Sequence, residues 1–166
     1  MPTAYLMPVP AVYVDALTEP VLSGLVLMSR NPEPDEAEVS RDAAVVLTLA
    51  ALGAGATVTL AATTVTIGAT LAYDGGAGGV QPGFSGGVSA VGANKRRLVL
   101  APDLPFDSEQ AVEVRVVSAA SDASTIDETY TFTVIDETAP RVLTAIAASR
   151  TAVRVAFDEP MTQGDG

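Results

Sequence analysis

Residues 127–136 read DETYTFTVID, and the alternation inside them decides the fold. Tyr130, Phe132 and Val134 fall on one side of an extended chain, and Thr129, Thr131 and Thr133 on the other. A period of two sends successive side chains to opposite faces of a strand, so this segment reads as half-buried, with its oily residues inward and its hydroxyls outward. Aromatic and β-branched residues also suit a pleated surface.

The same pattern extends towards the N-terminus. QAVEVRVVS, 110–118, turns Val112, Val114 and Val116 inward and Glu113 and Arg115 outward. KRRLVLAP, 95–102, is a strand that opens on a basic trio. FSGGVSAVG, 84–92, is weakened by glycine and suits an edge or a bulge. DGGAGGVQPG, 74–83, reads as a flexible loop. TTVTIGATLAY, 63–73, reads as one strand with Val65, Ile67, Ala69 and Leu71 on a common face, preceded by TVTLA, 57–61. AAVVLTLAAL, 43–52, is continuous enough for a buried central strand, and VLSGLVLMSR, 21–30, opens the series. NPEPDEAEVSRD, 31–42, is polar and turn-rich, with at most one helical turn in 35–42. Short strands separated by turn residues predict an all-β sandwich over 21–135.

Two segments flank it. Residues 1–20 are an extended N-terminal arm, in which Pro2, Pro8, Pro10 and Pro20 block a helix. Tyr5, Leu6, Met7, Val9, Val12, Tyr13 and Val14 make that arm oily enough to dock on a neighbouring subunit or to serve as a first strand of its own domain. On the other side, Pro140 stiffens a linker at 136–141. A new alternating pattern then begins in 142–166, where Val153, Val155 and Phe157 alternate with Arg154 and Ala156. That stretch is too short to close a sandwich, so it is expected to be the start of a second domain in a truncated chain.

Composition removes whole classes of function. The chain has no Cys and no His, which eliminates thiolate sites, disulfides, the usual zinc sites and the Ser-His-Asp and Cys-His nucleophile systems. Twenty acids against nine Lys and Arg disfavour nucleic acid and anionic membrane surfaces as partners. The N-terminus lacks the basic and apolar regions of a signal peptide, and no run of about 18 apolar residues occurs that could span a bilayer. Synthesis in the cytoplasm without secretory targeting is the expectation.

The remaining motifs carry little chemistry. Gly75, Gly76, Gly78 and Gly79 lack the Lys-Ser/Thr of a phosphate loop, and Gln81 breaks the dinucleotide spacing. The acid pairs Asp107/Glu109, Asp127/Glu128, Asp136/Glu137 and Asp158/Glu159 sit at strand ends and joints, where acids solvate turns, rather than as a facing catalytic pair. Asp127, Asp136 and Glu137 are weak calcium candidates, since calcium takes six to eight oxygens and the alternating pattern of a full site is missing. No other cofactor is expected. Lys95, Arg96 and Arg97 form a local positive spot suited either to an acidic neighbour in an assembly or to balancing nearby acids.

A resemblance sharpens this reading. Residues 104–140, LPFDSEQAVEVRVVSAASDASTIDETYTFTVIDETAP, resemble the final strands and linker of bacterial immunoglobulin-like repeats. AVRVAFDEPM, 152–161, is similar to the V-x-V-x-F-x-E-P-M opening of a following repeat. GVQPGFSGGVSAV, 79–91, followed by RRLVLAPDLPFDS, 96–108, resembles modules of tailed-bacteriophage virion proteins in tails, fibres and capsid-associated components. The resemblance covers roughly residues 20–161. It implies an immunoglobulin-like β-sandwich followed by the start of a second such domain. It also implies a non-catalytic virion structural protein, assembled in the host cytoplasm with other virion proteins and with copies of itself in a symmetric particle. The alternative it leaves open is a bacterial cell-surface adhesion or spacer module that binds carbohydrate or protein.

Overall fold

The computed structural model describes residues 23–159, and among these every regular element is a strand. Nine strands form two facing sheets. In the first, β1 (Leu25–Asn31), β2 (Val45–Ala51), β7 (Lys95–Pro102) and β6 (Phe84–Gly92) lie side by side in that order. In the second the order is β5 (Gly79–Val80), β4 (Thr70–Asp74), β3 (Val58–Ile67), β8 (Ala111–Ala120) and β9 (Thr125–Thr133). Neighbouring strands are antiparallel throughout. In immunoglobulin lettering these orders are A-B-E-D and C″-C′-C-F-G, the variable-type arrangement. The fold is therefore an immunoglobulin-like β-sandwich.

The core follows from the alternation. Val45, Leu47 and Leu49 of β2 and Leu98 and Leu100 of β7 face Val65 of β3, Val112, Val114 and Val116 of β8 and Phe132 of β9, all essentially inaccessible to solvent. Glu113 and Arg115 of β8 and Thr129, Thr131 and Thr133 of β9 are wholly or partly exposed, as the period of two requires. Tyr130 and Val134 are buried as expected.

After β1 the chain changes sheets. Pro32 has no N–H with which to continue the ladder. Beyond it, Asp35 N–H donates to the Thr131 carbonyl (2.8 Å), Thr133 N–H to that of Glu36 (2.8 Å), and Ile135 N–H to that of Val39 (2.9 Å). Val39 thereby makes a parallel bridge with Val134 and covers the free edge of β9.

Two expectations are corrected. Residues 63–73 are not one strand, because the chain reverses at Gly68 (φ 60°) and Ala69. Beyond that turn Ala72 and Tyr73 are buried, whereas Ala69 and Leu71 are exposed. Nor is 74–83 a plain loop. Asp74 Oδ1 accepts the N–H groups of Gly76 (2.9 Å) and Ala77 (3.2 Å), Gly75 N–H bonds the Thr63 carbonyl (3.0 Å), and β5 forms within it. Opposite that turn β3 bulges between Thr59 and Thr64, and the buried Thr63 hydroxyl pairs with that of Ser118 at 2.7 Å.

The open side of the sandwich between β1 and β9 is closed by a polar group. Arg30 lies over the Tyr130 ring, 5.5 Å from its centroid, and bonds Glu128 at 3.2 Å. The Tyr130 hydroxyl is buried and has no hydrogen-bond partner among the described residues. Burial pushes this phenol up to about 12 from its ordinary 10, and the Arg30 charge offsets part of the rise. The folded protein thus holds the proton more tightly than the unfolded chain does. The associated stability is complete below pH 10 and is lost as pH climbs towards 12, on the order of 2–3 kcal/mol in all. Tyr130→Phe is expected to be neutral or stabilising by about 1 kcal/mol at pH 7, because a buried orphan hydroxyl disappears. It should also flatten the alkaline limb. Urea melts of both proteins between pH 8 and 12 check this, and an unchanged limb in the variant would refute it.

β10 (Val142–Ala147) and β11 (Val153–Phe157) form a separate antiparallel pair. Val153, Val155 and Phe157 alternate with Arg154 and Ala156 as read from the sequence. Val142, Val153, Val155 and Phe157 all remain substantially exposed.

Candidate functional site

Three regions carry the residues singled out in the sequence. The first is the joint after β9. Ser108, in the β7–β8 connection, donates to Asp136 Oδ1 (3.0 Å) and accepts from the Glu137 N–H (2.8 Å) and the Thr138 hydroxyl (3.1 Å). Asp136 also accepts the Thr138 N–H at 2.8 Å. That N–H and the Ser108 hydroxyl hold its carboxyl below the usual carboxylate range. Arg41 adds an ion pair to Glu137 (3.6 Å), while its Nε donates to the Phe106 carbonyl (2.7 Å). The start of the linker is thus braced to the sandwich from two loops.

The calcium candidates are not brought together. Asp127 sits towards the other end of β9, roughly 30 Å along an extended strand from Asp136. There it is engaged by Arg115 in a two-pronged pair at 2.8 and 2.7 Å, which lowers its pKa. Asp136 and Glu137 do share the joint, but their oxygens serve Ser108, Thr138 and Arg41. An acid-lined cleft of about 800 Å³ lies alongside, with Glu38, Glu109 and Asp136 on its walls. Among the described residues no three such groups converge closely enough to hold a metal ion.

A second concavity, about 250 Å³, opens at the same end of the sandwich between Ile67, Phe84, Leu104, Phe106 and Gln110. Its lining is mostly apolar, with Thr70 and Gln110 as its polar side chains, and contains no ionisable one. It could accept one apolar side chain, and it offers no acid–base pair.

The third region is the β6–β7 edge. Lys95, Arg96 and Arg97 open β7, opposite Gly92, Ala90 and Ser89 of β6. The Arg96 guanidinium donates to the carbonyls of Gly92 (3.2 Å) and Lys95 (2.8 Å), and Arg97 is exposed. Among the described residues none of the three lies within ion-pair distance of a carboxylate. The arm residues Tyr5, Leu6, Met7, Val9, Val12, Tyr13 and Val14 lie outside the described residues.

Sequence reasoning missed Ser108, Arg41 and the Arg30–Glu128–Tyr130 group. A turn signal was present at Ser108. Nothing local marks Arg41 or Arg30, whose partners are distant in the chain.

No protein-family model matches the chain, and no curated protein sequence matches it at a significant level. Solved structures align with it at low identity. CopC from Methylosinus trichosporium OB3b is 20% identical with a TM-score of 0.45, over 71% of this chain and 98% of that one. Dimeric latent PorU from Porphyromonas gingivalis is 12% identical with a TM-score of 0.46, over 83% of this chain and 13% of that one. A chain of the archaellum periplasmic stator complex FlaF and FlaG from Sulfolobus acidocaldarius is 15% identical with a TM-score of 0.38, over 77% and 99% respectively. The fold assignment stands on strand order, independently of these likenesses.

Proposed function

We propose that this chain is a non-catalytic structural component of a larger particle, with the virion of a tailed bacteriophage as its setting. In that role the sandwich is a rigid block, the braced joint sets the direction in which the chain leaves it, and the oily arm anchors the chain to a neighbour. The observation that carries the reading is the joint. Ser108 and Arg41 fasten residues 136–138 to the sandwich, as a spacer that must hold a direction requires. The polar contacts at the joint and along β8–β9 support the same reading, since Asp136 and Asp127 are taken up in bracing a turn and a neighbouring strand.

Deletion of residues 1–16 tests the anchoring role. Both sheets and the core between them are formed by Leu25 to Val134, so the sandwich is expected to retain its far-UV dichroism and melting temperature. Incorporation into particles, read by quantitative blotting of purified virions, should be lost. Normal incorporation of the truncated protein would overturn the reading.

A further inference from the structure

The two sheets of the sandwich have four lateral edges, and three are protected against pairing with another chain. β5 is only two residues long. β9 is covered over Thr131–Ile135 by the segment after Pro32, and its open half carries Asp127 and Glu128. β1 is bulged between Leu27 and Ser29 and aims Arg30 towards Glu128 on the facing sheet. These are the devices by which natural sheets avoid edge-to-edge association. Among the described residues β6 is the exception. It runs for nine residues, FSGGVSAVG, with no charge and no proline, and its one bulge lies at the last pair, between Ala90 and Gly92. Gly86 and Val88 sit opposite the buried Leu100 and Leu98, so one row of β6 continues the core. Ser85 and Ser89 lie on the other face.

The sequence supplies a segment with the complementary property. Residues 5–14 read YLMPVPAVYV, without a charge. In an extended chain the N–H and C=O groups of alternate residues point to the same side. Pro8 and Pro10 therefore both remove donors from one edge, whereas Tyr5, Met7, Val9, Ala11 and Tyr13 keep the other edge complete. A strand of that kind can pair on one side and ends the sheet on the other. The charges agree with this pairing. Asp15 and Glu19 come after the uncharged stretch, and Lys95, Arg96 and Arg97 stand at the β6–β7 hairpin, where a segment running parallel to β6 would end.

We infer that residues 5–14 of one copy add to the free edge of β6 in a second copy, extending its four-stranded sheet by one strand. This rests on the reading of the chain as an assembly component. Donor and acceptor are different surfaces, so the contact is head-to-tail and can propagate. Docking of the segment on its own β6 would instead close the molecule as a monomer and take the arm away from any neighbour.

The test compares the full chain with Val9→Pro, Pro8→Ala and the double variant Ser85→Lys, Ser89→Lys by sedimentation velocity over a concentration series. Hydrogen exchange at residues 84–92 is tracked in parallel. The full chain and Pro8→Ala should associate with rising concentration and protect β6. Val9→Pro, which removes a donor from the complete edge, should weaken association about tenfold or more. The lysine pair should do the same from the acceptor side. Association that survives Val9→Pro but not the lysines would mean that β6 pairs with β6, and would overturn the inference. A full chain that stays monomeric at all concentrations would overturn it too. In that last case, if particles still take up the full chain and reject the arm deletion, the structural role stands and the arm docks on a different protein.

Discussion

Replacing Gly86 by alanine is expected to destabilise the sandwich by about 3 kcal/mol or more, a large share of what a domain of this size holds in reserve. Two independent features act together. Gly86 has a φ of +123°, a conformation in which an L side chain is strained. A Cβ at that position would also land on the Val99 carbonyl of the neighbouring strand. That oxygen is backbone and belongs to the β6–β7 ladder, so it cannot swing aside as a long side chain would. Relief would require β6 to separate from β7, uncovering Leu98 and Leu100. The cost of detaching this edge sets the upper bound.

The adjacent residue provides the control. Gly87 has no positive φ, and a Cβ there would meet nothing within 4 Å. Gly87→Ala should be neutral or slightly stabilising, because it restricts the unfolded chain at no steric cost. Urea titrations of the two variants should therefore diverge, with a marked drop in midpoint for Gly86→Ala and an unchanged slope. Equal effects at both positions would mean that this carbonyl contact does not constrain the strand.

The elements legible in the sequence are those whose own residues settle their environment. β8 and β9 place valines, Tyr130 and Phe132 against threonines and charges, and a period of two leaves one choice of face. The β3–β4 hairpin was not legible. Val65, Ile67, Ala69 and Leu71 keep the alternation through Gly68 and Ala69, so the reversal leaves no gap in the pattern. Small Ala69 and exposed Leu71 mimic a strand that has already ended. The joint shows a different limit. The words IDET at 126–129 and IDET at 135–138 are identical, yet Asp127 meets Arg115 across β8–β9 while Asp136 meets Ser108 in a loop. Partners 12 and 28 residues away decide what each carboxylate does. A local reading groups the two acids as calcium candidates; the topology separates them by most of the length of a strand. That β6 is an edge strand among the described residues became visible only once the spatial order of strands was known, although its lack of charge and proline is plain in the sequence.

Phe132→Ala should cost about 3–5 kcal/mol, through lost transfer energy together with the cavity left behind. Phe132 is the largest of the fully buried side chains among the described residues, 1% exposed, in a core made mostly of valine, leucine and alanine. Branched side chains fixed in sheets relax poorly into a void, because each is held in its rotamer by the pleat. The ring also meets Phe106 edge-on, with centroids 5.8 Å apart and planes at 73°. Such a contact is worth about 0.5–1.5 kcal/mol beyond burial. Phe106 is only partly buried, so Phe106→Ala alone should cost less. The double variant should cost less than the sum of the two, by an amount close to that coupling. The consequence reaches past stability, because the Phe106 carbonyl receives Arg41, which in turn holds Glu137 at the joint. Loss of Phe132 should therefore speed hydrogen exchange at residues 136–138 before the sandwich itself unfolds. Exchange at the joint that rises only together with global unfolding would show that the brace does not depend on this part of the core.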